Sequence, residues 1–184
     1  MTAATQTTTT TTWDLDPSHS LVEFSAKHMM IATVKGRFAG VRGTITQHGD
    51  EMARASVDVE IDTASLDTRD ERRDGHLRSA DFFDVENFPT ITFKSTRVEP
   101  LGEDRARLIG DLTIKGVTRE VALDVTLNGQ GRNPYGKVIA AAEASTSINR
   151  KDFGLNWNVA LETGGWLVGD SIKIFLELEA FRRD

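Results

Sequence analysis

The chain has 184 residues and a formal net charge of −6 at pH 7, a size that suits one all-β domain with a sizeable core. The acidic balance argues against a nucleic-acid backbone or an anionic membrane surface as the main partner. Cysteine is absent, so disulfides, thiolate nucleophiles and cysteine metal ligands are excluded.

The first segment, residues 1–12, ends in the run Thr7 to Thr12. It has neither the basic region nor the apolar stretch of an export signal, and it reads as a disordered leader, because threonines bury too little apolar surface to offset their ordering entropy. No later stretch reaches the apolar length of a membrane-spanning helix. A soluble cytoplasmic protein with a single domain over 13–184 is therefore expected.

From Trp13 the apolar residues recur every second position, the signature of strands with one dry face. Val22, Phe24, Ala26 and His28 form one row, then Val34, Gly36 and Phe38, then Ala55, Val57, Val59 and Ile61. A long connection follows, from about Asp67 to Pro89, with Arg72, Arg73 and Arg78, His76 and the pair Phe82-Phe83. Asp67 or Thr68 can cap a helix running through Arg69 to Arg73 and limited by Gly75, with a second turn starting at Ser79. Strand rows resume with Ile91 and Phe93, and with Ala106, Leu108, Gly110, Leu112 and Ile114. They continue with Val121 to Leu127, Val138 to Thr146, and Ile172 to Leu178. Turn signals separate them at His48-Gly49-Asp50, Pro100-Leu101-Gly102, Lys115-Gly116, Asn128-Gly129 and Asn133-Pro134-Tyr135-Gly136.

About eight antiparallel strands with a short helical insert predict an all-β barrel, either filled with side chains or holding one small ligand. The small residues of the inner rows, Ala140, Ala142 and Ala144 among them, fit both cases. They leave room for an alkyl chain, or they accommodate bulky neighbours across a close-packed interior.

Further residues carry a resemblance. These are Trp13 to Ser20, Phe24 to Met30, Val34 to Phe38, Arg73 to Ser79, Asp81 to Asp84 and Pro89 to Phe93, followed by Gly110 to Thr118, Asn149 to Gly154 and Val168 to Asp170. In this order they resemble the YceI-like family of polyisoprenoid-binding proteins. The resemblance implies a lipocalin-like antiparallel barrel that binds an isoprenoid lipid or similar amphiphile inside, often as a homodimer. Many members carry an export signal, and the N-terminal segment here does not read as one. A lipid tail of roughly 40 carbons, at ~0.3 kcal/mol per heavy atom, would contribute on the order of 12 kcal/mol, or roughly nanomolar affinity. Such a cavity needs apolar walls and no cofactor.

Candidate wall residues are Phe24, Phe38, Val59, Phe93, Leu108, Leu112, Leu123, Ala142, Ala144 and Ile148. Phe82, Phe83, Phe153 and Trp157 are candidates for a mouth or lid, and His28 for a ligand contact or a satisfied core histidine. Arg73, His76 and Arg78 suit a diphosphate or hydroxyl head group, or else an ion-pair cluster with Asp70, Glu71 and Asp74 that fixes the insert. Asn149 to Asp152 reads as a structured turn. The four histidines lack short ligand spacing, so no metal site is expected, and no serine sits in a nucleophile elbow. The expectation is a lipid-binding barrel; the rival readings are an enzyme using His/Asp acid–base chemistry and a solid barrel serving as an interaction module.

Overall fold

The computed structural model of the protein describes residues 9–183. Its strands form one sheet whose first strands are bent. Strands β1 (Thr10–Leu15) and β2 (Leu21–His28) both pair with β11 (Val168–Arg182): β1 through Leu15 opposite Ala180, β2 through Leu21 opposite Glu177. They act as one long strand broken at Asp16 to Ser20. Likewise β3 (Ala32–Phe38) runs on into β4 (Val41–His48), and β5 (Ser56–Asp62) runs on through a turn of 3-10 helix into β6 (Leu66–Asp67). The unbroken strands β7 (Thr90–Pro100), β8 (Arg105–Ile114), β9 (Val117–Arg132) and β10 (Val138–Asn149) complete the round. With each bent pair counted once, eight antiparallel strands follow one another around a closed barrel. The expected all-β barrel with a helical insert is the fold observed.

Several boundaries differ from expectation. Thr10 to Thr12 belong to β1, where they pair with His48 to Thr46 of β4; the segment 1–8 of the expected leader lies outside the described residues. Strand β4 escaped the sequence reading because its inward positions Val41, Gly43 and Ile45 are interleaved with a glycine and flanked by threonines. Asn128-Gly129 is a bulge within β9 and not a turn: Ala141 pairs with Gly129 and Ala142 with Leu127, which leaves Asn128 as the extra residue. The hairpin turn is made by Asn133 to Gly136 alone.

The helix α1 spans Glu71–Arg78, later than predicted, with Asp70 as its cap accepting from the Arg73 N–H at 3.0 Å. Asp67 cannot serve as the cap because its carboxylate accepts from the Arg69 N–H at 2.8 Å, and Arg69 turns the chain through a left-handed conformation. Gly75 sits in open space inside the helix and does not end it; the helix stops at Ser79, whose N–H reaches His76.

Two connections close one end of the barrel. The first, 68–89, carries α1 and the turn with Phe82 and Phe83. The second, 150–167, begins with a 3-10 turn, Arg150–Phe153. Arg150 is buried and fastens the second connection from inside: its guanidinium donates to the carbonyls of Leu155, Trp157 (2.9 Å) and Gly169 (3.0 Å), with Asp170 3.5 Å away. Burial pushes the arginine's pKa down from its usual value, and Asp170 opposes that shift. The two connections meet where His76, Phe82 and Trp157 pack together, with ring centroids 4.5–5.4 Å apart.

Two predictions follow from this packing. A Cβ added at Gly110 would come within 2.7 Å of the Phe93 ring and 2.8 Å of the Ser95 backbone, so Gly110→Ala is expected to cost ~1–3 kcal/mol of unfolding free energy in urea titrations. A lysine at 150 cannot reproduce the fork of donors; Arg150→Lys is expected to lose on the order of 2 kcal/mol. Hydrogen exchange should speed up across 150–169 and leave β7 to β9 unchanged.

Candidate functional site

The barrel is hollow. A cavity of about 300 Å³ runs along its axis, from Met52, Val98 and Leu127 at the open end to Leu77, Phe83 and Leu155 under the closed end. That volume lies at the lower end of small-molecule pockets, roughly 300–1,000 Å³. The wall comes from the pleat: every strand turns alternate residues inward, and in this chain nearly all of those that line the cavity are aliphatic or aromatic. The two polar liners have their hydrogen bonds satisfied elsewhere. The Thr146 hydroxyl donates to the Ala122 carbonyl at 2.8 Å, and the Arg150 donors are spent on main-chain carbonyls as described. The surface presented to the cavity is apolar throughout.

Of the sequence-derived candidates, Phe24, Phe38, Val59, Phe93, Leu108, Leu112, Leu123, Ala142, Ala144 and Ile148 line the cavity, as do Phe82 and Phe83. Phe24, Phe38 and Phe83 form an aromatic ladder with successive centroid distances of 5.4 and 5.7 Å, leading up one wall to the closed end. Small inner residues play both roles left open above. Gly36 and Gly110 are seats for the rings of Phe24 and Phe93, whereas Ala142, Ala144 and Ala106 face free volume.

The remaining candidates lie off the wall. His28 ends its row opposite Val168, beyond the inward positions Phe24 and Ala26. Phe153 is buried beneath the 3-10 turn, and Trp157 packs on His76 and Phe82 above the cavity. Arg73 donates to the Thr68 hydroxyl at 2.8 Å and the Thr68 carbonyl at 2.9 Å. Arg78 donates to the carbonyls of Ala64 (3.1 Å) and Leu66. His76 Nε2 stands 2.9 Å from the Asp81 carboxylate. These three side chains therefore hold the insert together, through carbonyls more than through the acidic cluster expected: only Asp70 approaches Arg73, at 4.0 Å. Asp74 is buried and caps the preceding loop by accepting from the Thr68 N–H at 2.9 Å and the Thr68 hydroxyl at 2.5 Å.

Sequence reasoning missed Leu77 and Leu155, which seal the closed end. Leu77 stood out in principle as the one aliphatic residue in a polar helix, but nothing in the spacing tells that it points into a barrel. The inward row Ile172, Ile174, Leu176 and Leu178 was visible as a strand, and it supplies a whole side of the wall.

With this geometry in view, comparison with known proteins identifies relatives along the whole fold. The family model described as the YceI-like domain matches residues 13–180. UPF0312 protein SAS2572 of Staphylococcus aureus is 39% identical over 168 residues, covering 89% of this chain and 93% of the relative. Among solved structures, Burkholderia cenocepacia BcnA superposes with a TM-score of 0.78 at 25% identity, over 90% of this chain and 98% of that one. The Campylobacter jejuni YCEI protein gives 0.73 at 29% identity, over 86% and 90%. A polyisoprenoid-binding domain from Saccharophagus degradans shares the fold, with a TM-score of 0.67 at 17% identity over 93% and 98%. The chain belongs to the YceI-like family.

Proposed function

We propose that this barrel binds a long-chain isoprenoid or related amphiphilic lipid in its cavity, and that it carries, stores or sequesters that lipid without transforming it. The observation that supports the reading most is the continuous apolar wall from Met52 to Leu155. It can exchange water for hydrocarbon along its length and offers its occupant no free hydrogen-bonding group. The polyisoprenoid-binding relative from Saccharophagus degradans points the same way. At about 300 Å³ the cavity suits a single slender chain; a longer one would extend through the open end or displace the lid residues Phe82 and Phe83. The same reading includes a homodimer and a cytoplasmic location. Sedimentation and cell fractionation check those two points, and a monomer or an exported protein would remove them without touching the cavity.

The direct experiment is organic extraction of the purified protein, with the lipid identified by mass spectrometry. A stoichiometric prenyl or acyl lipid is expected, chemically unchanged after long incubation. Turnover of that lipid would overturn the non-enzymatic reading. Ala144→Phe places a ring in the cavity opposite Leu176, and it should abolish co-purification while the barrel keeps its fold; full lipid loading of a folded variant would refute the site. Replacing both Phe82 and Phe83 with alanine should speed lipid transfer to acceptor vesicles several-fold. Burial of one such ring is worth roughly 1.5–3 kcal/mol, so an unchanged release rate with a large fall in melting temperature would assign the pair to the core alone.

A further inference from the structure

The bend between β1 and β2 brings together three metal-ligating side chains that lie far apart in the chain. His19 Nδ1 is 2.9 Å from the Asp16 carboxylate and 3.7 Å from that of Glu179 on β11, and all three donor atoms lie within 4.8 Å of one another. We propose that Asp16, His19 and Glu179 form a divalent-cation site on the outside of the barrel seam, with a first-row ion such as Zn²⁺ as occupant. The spacing in sequence gave no hint of it, because Glu179 arrives from the last strand.

The argument rests on the donor set and its support. A nitrogen and two carboxylates suit borderline cations. Ligand bonds of roughly 2.0–2.2 Å in tetrahedral geometry put donor atoms about 3.3–3.6 Å apart, and the two measured separations bracket that range. Beyond the His19–Asp16 contact itself, the ligands are placed by main-chain and hydroxyl groups around them. The Asp16 N–H donates to the Glu179 carbonyl at 2.8 Å, and the Ser20 hydroxyl and the Glu179 N–H are 3.3 Å apart. Asp16 is also fixed by the Ser18 N–H (2.8 Å) and hydroxyl (2.6 Å). The carboxylates are 22% and 28% exposed, whereas His19 is 64% exposed, so water can reach the ion to complete its coordination. A bound ion would tie the bent first strand to the last strand, at a place where their ladder is interrupted. Because Glu179 points away from the cavity, this site is independent of lipid binding.

The test uses untagged full-length protein in chelator-free buffer at pH 7.5, titrated with ZnCl₂ by calorimetry and followed by thermal melting. One ion per chain and a rise in melting temperature on adding Zn²⁺ are expected. His19→Ala and Glu179→Gln should each weaken binding by roughly tenfold or more and abolish the rise; Glu179→Gln keeps every main-chain bond and guards against misfolding of the histidine variant. A flat Zn²⁺ titration of the wild type would overturn the proposal. So would binding that survives both substitutions, which would assign the heat to other surface histidines and leave the trio as an ordinary ion pair.

Discussion

The structure depends on the double pairing of β11. One edge of this strand meets β10 along its length; the other is shared between β1 and β2, which together close the cylinder. Closure covers most of the sheet edge; among the described residues β3 meets β6 only through Arg37 and Phe38, so its outer edge from Ala32 to Gly36 has no strand partner. Closure also forces a geometric choice. The inward residues of eight strands must fill the enclosed space or leave it empty, and chain length cannot relieve that constraint. Here the inward rows on β8 and β10 contain Ala106, Ala142 and Ala144 where bulkier residues would fill the axis. The hollow is therefore written into a few side-chain volumes on an otherwise ordinary barrel.

Bending of the first strands follows from the same closure. A barrel with strongly twisted walls needs its strands to coil, and this chain breaks three of them, at Asp16 to Ser20, at Ala39-Gly40 and at the turn Thr63–Ser65. Two of these breaks bring polar groups to the seam: the Gly40 N–H is bonded by the Ser65 hydroxyl at 2.9 Å, and the Asp16 corner is pinned to Glu179. The third path, Thr63 to Thr68, is held by Arg73 and Arg78, whose side chains reach its carbonyls. Arg73 and Arg78 thus brace the barrel wall.

Strand rows were legible in sequence because a half-buried strand writes its face as a period of two, and Ile172 to Leu178 or Ala106 to Ile114 could hardly be anything else. What escaped were features set by partners distant in the chain. Strand β4 was hidden because Gly43 yields its place to Leu15, a contact across strands. Asn128-Gly129 has the composition of a turn, yet its neighbour β10 continues past it, so it becomes a bulge. The candidate wall was largely readable from alternation and the family resemblance. The carbonyl contacts of Arg73 and Arg78 were not, because an arginine's preference for phosphate and its preference for a buried carbonyl are the same preference, and only the fold tells which carbonyl is near. His28 fell at the strand's end, where alternation no longer says what lies inside.

The polar-free lining of the cavity has a thermodynamic consequence. With every hydrogen-bonding group of the wall turned away, a guest is recognised by the water it displaces and by dispersion contacts alone. Association of this kind lowers the heat capacity, responds weakly to salt and pH, and strengthens with each added methylene by about 0.8 kcal/mol until the axis is full. The interior therefore sorts molecules by girth and length, much as an oil droplet of fixed shape would, and chemical identity enters only where the guest emerges into water.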